Sequence, residues 1–113
     1  MITHDHQLRR LRRVRGKLRL NINLPRLSVY RSSKQIWVQL IDDKHSKTLL
    51  TSSSKSIKTK ATKIEKATLV GEDIAAKALK LNIKKIRFDR GIYRYHGRVK
   101  AVAEAARSKG LQF

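Results

Sequence analysis

The sequence predicts a single α/β domain of the α+β type, with the element order βββαβα and two helices on one face of a mixed sheet. Two observations lead to this prediction. Short segments in which apolar and polar residues alternate, as in half-buried strands, occupy the region before residue 54 and return once near residue 86. Two longer segments with apolar residues at helical spacing precede and follow that last strand.

Three of the four predicted strands come before the first helix. The alternation of Leu27 and Val29 with Ser28 and Tyr30 is typical of a half-buried strand, and Pro25 precedes it. The predicted strands span residues 26–32, 35–41, 47–53 and 84–89, with turns at 33–34 and 42–46. The residues predicted to face the core are Leu27, Val29, Ile36, Val38, Leu40, Ile86 and Phe88.

The first helix is predicted from about Thr62 to Leu81, after a loop that is rich in Lys, Ser and Thr and that we expect to be mobile. Its apolar face contains Ala67, Val70, Gly71, Ile74, Ala78 and Leu81. Because glycine lowers helix stability, we expect Gly71 to mark a close approach of this helix to the sheet. Asn82 suits the left-handed position that ends a helix.

The second helix is predicted to follow Gly97 and to end at Gly110. Its buried face has the i, i+3, i+4, i+7 spacing and contains Val99, Val102, Ala103 and Ala106.

The composition indicates a polyanionic partner. The 113 residues include 28 Lys and Arg against 8 Asp and Glu, which gives a net charge of +20. This excess of positive charge destabilises the free compact chain by self-repulsion unless a polyanion neutralises it. The absence of Cys excludes disulfides and thiolate metal sites, and no apolar run approaches the ~20 residues of a membrane span. His4 and His6 have no neighbouring cluster of ligands, so we expect no metal and no cofactor.

Residues 1–22 are predicted to be a basic RNA-binding arm, and residues 23–113 a single domain. The arm residues predicted to contact RNA are Arg9, Arg10, Arg12, Arg13 and Arg15. Repulsion among these arginines disfavours an isolated helix, so we expect the arm to be disordered alone or helical on RNA.

The segment from Phe88 to Val99 concentrates arginines, aromatic residues and glycines immediately before a helix. The first turn of that helix contains Arg98 and Lys100 and no acidic residue. Gly97 stands where Ser, Thr, Asp or Asn would cap the helix. Cations beside unpaired helix amides are unfavourable unless an anion binds, and phosphate is the usual one. The segment therefore predicts a site for RNA phosphate.

This segment, FDRGIYRYHGRV, resembles the FDRGGYKYHGRV signature of the bacterial-type L-eighteen family of large-subunit ribosomal proteins. Two further stretches resemble the family in order and spacing: residues 25–32 followed by 36–43, and residues 99–113. Ile92 departs from the signature, which usually has a second glycine there. Residues 52–66 also differ, being unusually rich in Lys, Ser and Thr.

The resemblance implies a non-catalytic structural protein that binds 5S rRNA and attaches it to the large subunit at the central protuberance. It implies contacts with 5S rRNA, 23S rRNA and neighbouring ribosomal proteins, in a bacterial cytoplasm or a plastid stroma. In the domain, we predict RNA contacts by residues that combine charge, aromatic character or position in the signature. These are Arg26, Tyr30, Arg31, Ser32, Arg87, Arg90, Tyr93, Arg94, Tyr95, His96, Gly97 and Arg98.

The sheet face opposite the helices has two interpretations. The alternation places Tyr30, Trp37, Gln39, Ile41 and Arg87 there. In one interpretation the face is open and stacks on unpaired bases or packs on ribose. In the other, Phe113 or a loop covers it.

Two other functions are compatible with parts of the sequence. A free-standing RNA chaperone would share the charge, but it would bind 5S RNA and a tRNA of equal length equally well. The βββαβα order also occurs in ribonuclease-H-like nucleases, which need carboxylates converging on two metal ions. The first strand has no carboxylate, and Asp42 and Asp89 are expected at opposite edges of the sheet. The sequence therefore predicts that the protein is not an enzyme.

Overall fold

The computed structural model describes residues 8–11, 23–57 and 60–113, and residues 8–11 are helical. The predicted βββαβα order is confirmed. The strands are β1 (Arg26–Arg31), β2 (Ile36–Asp42), β3 (Lys47–Ser53) and β4 (Arg87–Asp89); the helices are α1 (Lys63–Lys80) and α2 (Arg98–Ser108). The last strand is shorter than predicted, because Lys85 pairs in parallel with Gln112 near the end of the chain instead of with β1.

The four strands form one mixed sheet in the order β3-β2-β1-β4. Strand β1 is antiparallel to β2 and parallel to β4, and in the parallel pair Arg26 lies beside Arg87 and Ser28 beside Asp89. The residues predicted to face the core do so: Leu27, Val29, Ile36, Val38, Leu40 and Ile86 are buried against both helices, and Phe88 is half-buried beside them. Both helices therefore cover one face of the sheet, as predicted.

Helix α1 has a capped start and a sharp end. The Thr62 side chain accepts a hydrogen bond from the Glu65 amide (3.2 Å), and Glu65 supplies negative charge to the first turn. At the other end, Asn82 adopts a φ of 61° and Ile83 N–H donates to the Ala78 carbonyl (3.0 Å), the pattern of a Schellman motif. This turn leaves Leu81 53 % exposed, so its predicted place on the apolar face is wrong.

Gly71 does mark a close approach, but the approach is to α2 and not to the sheet. A Cβ atom at this position would lie 2.4 Å from the Val102 carbonyl oxygen and 2.9 Å from the Ala105 Cβ. The predicted contact with the sheet is therefore wrong. Small residues on both helices allow the two backbones to meet here, and the parallel α1 and α2 form one layer above the sheet.

The first part of the Lys/Ser/Thr segment is anchored. Residues Ser54–Ser56 form a 3-10 turn, and Ser54 is buried. Its hydroxyl accepts from the Ile36 amide (2.9 Å) and donates to the Gln35 side-chain carbonyl (2.6 Å). The prediction of a mobile loop is wrong for this turn, since its hydroxyl completes the hydrogen bonding of β2. Residues 58–59 lie outside the described part of the chain.

Candidate nucleic-acid interface

The signature loop, residues 90–97, connects β4 to α2 and is tied to the end of β4. Asp89 accepts a hydrogen bond from the Gly91 amide (2.8 Å), and the Arg90 guanidinium donates to the Tyr93 carbonyl (2.8 Å). Gly91 has a φ of 57°, which favours glycine. Ile92, where the related signature has glycine, does not have a positive φ, so its side chain causes no backbone strain.

Tyr93 fixes the loop to β1. Its hydroxyl accepts from the Arg31 amide and donates to the Arg31 carbonyl, both at 3.2 Å. Strand β4 pairs only with Arg26–Ser28, so the Tyr93 hydroxyl satisfies backbone groups of β1 that β4 does not reach. The Arg31 guanidinium lies 5.0 Å from the centre of the Tyr93 ring, within cation–π distance. The hydrogen bonds of Tyr93 therefore fix the position of the loop relative to β1.

The start of α2 is uncapped, in contrast to the start of α1. Gly97 has φ 57° and ψ −123°, makes no side-chain cap, and is followed by no acidic residue in the first turn. Among the described residues nothing lies within 4 Å of the position that a Cβ would take there, so the space beside Gly97 is open in that part of the chain. Arg98 donates to the Gln35 carbonyl (3.4 Å). The exposed Arg94 guanidinium makes no hydrogen bond or ion pair within the described ranges.

His96 is exposed beside this helix start, and its amide donates to the Arg94 carbonyl (2.8 Å). Arg94, His96, Gly97 and Arg98 thus lie within four residues of the start of α2, where no side chain of the described residues caps the helix. Anions bind favourably in such surroundings, because the helix dipole, the amides and the guanidinium groups all favour negative charge.

Tyr95 connects the signature loop to the end of α2. Its hydroxyl accepts from Arg107 (3.1 Å), and its ring meets the edge of Phe88, with ring centres 6.2 Å apart. The rings of Phe113 and Phe88 stack with their centres 5.5 Å apart. The Arg107 guanidinium lies over the Phe113 ring, 4.4 Å from its centre. Phe113 is therefore packed on the helix side of the sheet, and the interpretation in which it covers the opposite face is wrong.

On that opposite face, Tyr30 and Trp37 stack on each other. Their ring centres are 5.8 Å apart and the planes differ by 16°, and both residues are half-buried. They are neighbours in the β1–β2 register. Ser32 lies at the exposed end of the same hairpin, where its hydroxyl accepts from the Gln35 amide (3.1 Å). The two rings therefore form a half-buried aromatic pair on this face.

Tyr30→Ala is expected to weaken RNA binding by about 1–3 kcal/mol, the typical value of a lost base stack. The measurement is RNA affinity at fixed salt together with the thermal midpoint. Lys47→Ala, at an exposed position on β3, serves as a surface control. A lower midpoint with unchanged affinity would place Tyr30 in the structural core instead of the interface.

Arg26 and Arg87 lie in a carboxylate–guanidinium network with Asp43 and Asp89. Arg26 contacts Asp43 at 3.0 Å and Asp89 at 2.7 Å, and Arg87 contacts Asp43 at 2.6 Å. Arg87 also donates to the Leu24 carbonyl (2.8 Å), and its side chain is only 6 % exposed. The expectation that Arg87 is displayed on an open sheet face is therefore wrong, because its side chain is buried and bonded to Asp43.

Asp43 was not among the predicted site residues. Local sequence patterns give no signal for it, because only the strand register shows that Arg26 and Arg87 fall on the same face of adjacent parallel strands. Like charges that are direct neighbours in a sheet destabilise it. An anion is therefore required between them, and the turn after β2 supplies it.

Burial opposes the ionisation of Asp43, but hydrogen bonds and charge from Arg26 and Arg87 outweigh it and lower the pKa of Asp43 below its ordinary 3.8. Burial likewise opposes the charge of Arg26, yet Asp43 and Asp89 outweigh it and raise the pKa of Arg26. Both shifts favour the ionised pair.

The lowered pKa of Asp43 predicts a loss of stability in acid. A carboxylate with a depressed folded-state pKa contributes stability that is complete well above 3.8 and is lost as pH falls through and below that value. Asp43→Asn is expected to lower the free energy of unfolding by about 1–3 kcal/mol at pH 7, the loss of charge-assisted hydrogen bonds. Urea unfolding at pH 7, 5 and 3 should show the difference from wild type shrinking toward pH 3. A constant difference would contradict this linkage.

The described part of the arm meets the signature loop. The Arg10 guanidinium donates to the Ile92 carbonyl (2.6 Å), and Arg9 is exposed. The predictions for Arg12, Arg13 and Arg15 lie outside the described residues. The arm therefore reaches the loop surface at Arg10.

The carboxylates that a nuclease would need, Asp42 and Asp89, are each engaged by other groups of the protein. Within residues 8–11, 23–57 and 60–113 there is no group of three or more His, Cys, Asp or Glu residues that could hold a metal ion. Asp42 pairs with His45 (2.7 Å), and Asp89 is occupied by Arg26 and Gly91. No helix in the described part of the chain is long and apolar enough to cross a membrane.

A small, strongly basic α+β domain with cations grouped around an uncapped helix start defines a protein of the RNA-binding class. Sequence comparison agrees: the family described as ribosomal L18 of archaea, bacteria, mitochondria and chloroplast matches residues 2–113. The chain belongs to this family of ribosomal proteins, and its place is the large subunit of the ribosome.

Curated relatives include the large ribosomal subunit protein uL18 of Staphylococcus aureus strains JH9, Newman and JH1. Each is 57 % identical over 109 residues, which cover 95 % of this chain and 92 % of the relative. The family resemblance inferred from the signature is thus confirmed.

Proposed function

We propose that this chain binds 5S rRNA and attaches it to the large subunit at the central protuberance, contacting both 5S and 23S rRNA and neighbouring ribosomal proteins. It acts as a structural protein and catalyses no reaction. The observation that carries the proposal is the start of α2, where no side chain of the described residues caps the helix and where Arg94 and Lys100 are exposed. The family membership supports the same function.

In this proposal an RNA phosphate binds at the amides after Gly97. Arg94 and Arg98 flank it, and their guanidinium groups match phosphate oxygens in geometry. Tyr93 holds the loop against β1, so little ordering of the backbone remains to be done on binding. Tyr30 offers its ring to an unpaired base or a ribose. The arm follows RNA away from the loop, starting at Arg10.

The proposed interface is smaller than the set predicted from sequence. Among the described residues it contains Arg9, Arg10, Tyr30, Arg31, Ser32, Arg90, Tyr93, Arg94, Tyr95, His96, Gly97 and Arg98. Arg12, Arg13 and Arg15 lie outside the described residues and remain predicted contacts. Arg26 and Arg87 are left out, since their guanidinium groups serve internal carboxylates.

The test compares the affinity of the full chain for 5S rRNA and for a tRNA of equal length. Preference for 5S rRNA is expected, and equal affinity would favour a general RNA chaperone. Arg94→Ala should weaken 5S binding by about 1.5–3 kcal/mol, the value of a charge-assisted contact. Lys84→Ala removes the same charge from an exposed position before β4 and should change the affinity much less. Equal losses in both variants would mean that only net charge matters.

A further inference from the structure

The two oxygens of Asp89 serve different parts of the molecule. One oxygen, Oδ2, accepts from Arg26 at 2.7 Å, and the other, Oδ1, accepts from the Gly91 amide at 2.8 Å. The side chain is 3 % exposed, so both bonds form away from bulk water. Asp89 therefore connects the carboxylate–guanidinium network to the first turn of the signature loop.

Asp43 contacts both arginines of the carboxylate–guanidinium network. Its Oδ2 atom accepts from both Arg26 (3.0 Å) and Arg87 (2.6 Å), and its Oδ1 atom accepts from Arg26 again (3.1 Å). Arg26 and Arg87 are direct neighbours in the parallel pair, so their charges repel each other. Asp43 offsets this repulsion and holds the Arg26 guanidinium in the orientation in which it reaches Asp89.

We propose that Asp43 is a positioning residue for the signature loop: it orients Arg26 against Asp89, and Asp89 fixes Gly91 and the start of the loop before RNA binds. The RNA part of this inference rests on the proposed function. Asp43 itself contacts no RNA. Two cations and two carboxylates form a neutral group, so the network adds no attraction for a polyanion. It contributes through the geometry of the loop that follows.

Loss of this positioning lowers the fraction of molecules with the loop in its binding geometry. The apparent dissociation constant equals the intrinsic one divided by that fraction, so a fall to about one fifth weakens binding roughly fivefold. No phosphate contact is lost in the process. The slope of log affinity against log salt is therefore unchanged, because that slope counts phosphate contacts.

The experiment uses the full chain with Asp43→Asn, and Asp42→Asn as the matched control. The two variants remove the same charge from adjacent positions at the end of β2, but Asp42 contacts His45 and not the network. Asp43→Glu keeps the charge and shifts the carboxylate by one methylene. The readouts are hydrogen exchange of the Gly91 amide without RNA, and 5S rRNA affinity at several salt concentrations.

We expect Asp43→Asn to speed Gly91 exchange severalfold and to weaken 5S binding about three- to tenfold at an unchanged salt slope. Asp43→Glu should show the same changes at smaller size, and Asp42→Asn neither. Unchanged Gly91 exchange in both Asp43 variants would overturn the inference. So would tighter binding with a steeper salt slope, since the released arginines would then be contacting phosphate. If the wild type does not prefer 5S rRNA, the proposed function fails, while the exchange data still decide the positioning role.

Discussion

Gly97→Val is expected to reduce 5S rRNA affinity by roughly tenfold to a thousandfold, the largest binding effect of any single change in the signature loop. The φ of 57° and ψ of −123° at this position suit glycine alone, and forcing a side chain into such a region costs about 1–3 kcal/mol. The valine methyl groups would also fill the open space above the helix amides, where the phosphate is proposed to bind. Binding titrations at physiological salt measure the effect.

Gly110→Val is the matched control for this prediction. Gly110 also has a positive φ, 117°, and it lies at the opposite end of the same helix, beside Leu79. This variant should lower the thermal midpoint with little change in RNA affinity per folded molecule. If Gly97→Val loses stability but binds 5S rRNA like wild type, the start of α2 is not a phosphate site.

Gly71→Ala should lower the free energy of unfolding by about 1–3 kcal/mol or more, the cost of overpacking a tight contact. The new methyl group would lie 2.4 Å from a backbone carbonyl oxygen of α2, and a backbone atom cannot rotate away as a side chain can. The two helices must therefore separate. For a domain of this size each kilocalorie lowers the thermal midpoint by roughly 4–8 °C. Thermal and urea unfolding measure the loss.

Helix propensity alone predicts the opposite sign, because alanine is about 1 kcal/mol more favourable than glycine within a helix. Ala76→Gly, at an exposed position of α1, changes helix propensity without changing a tight contact. It should lower the free energy of unfolding by about 1 kcal/mol. A stabilised Gly71→Ala variant would show that the helices relax at little cost. A loss in both variants would confirm that packing exceeds propensity at Gly71.

Local patterns predicted the elements of this fold well. The alternation through residues 26–41 placed Leu27 and Val38 in the core correctly, since in a strand the side chains point to alternate faces. The uncapped start at Gly97 and the left-handed Asn82 were also predicted correctly, because both depend on backbone chemistry within a few residues. Both features are determined by residues that lie close to them in the sequence.

Contacts between distant segments were not predicted as well. The partner of Gly71 was assigned to the sheet, because helical spacing identifies a buried face but not what covers it. The ion pairs of Arg26 and Arg87 were missed, since the sequence does not show that Asp43 turns back toward them across the sheet. Leu81 fits the apolar face by spacing, and only the reversal after Lys80 exposes it. Each error concerns a residue whose partner is distant in sequence or whose backbone leaves the helix.

Because the start of α2 is uncapped, RNA binding is also expected to affect how much of the protein is folded. A partner that binds only the folded chain stabilises it by an amount that grows with the partner's concentration. Without RNA, no side chain of the described residues caps the start of α2, and the charge of +20 is unrelieved. Copies made in excess of the available RNA are therefore expected to have the larger unfolded fraction. Since cellular proteases act on that fraction, surplus chains should be removed before assembled ones, and the amount of protein should follow the amount of RNA.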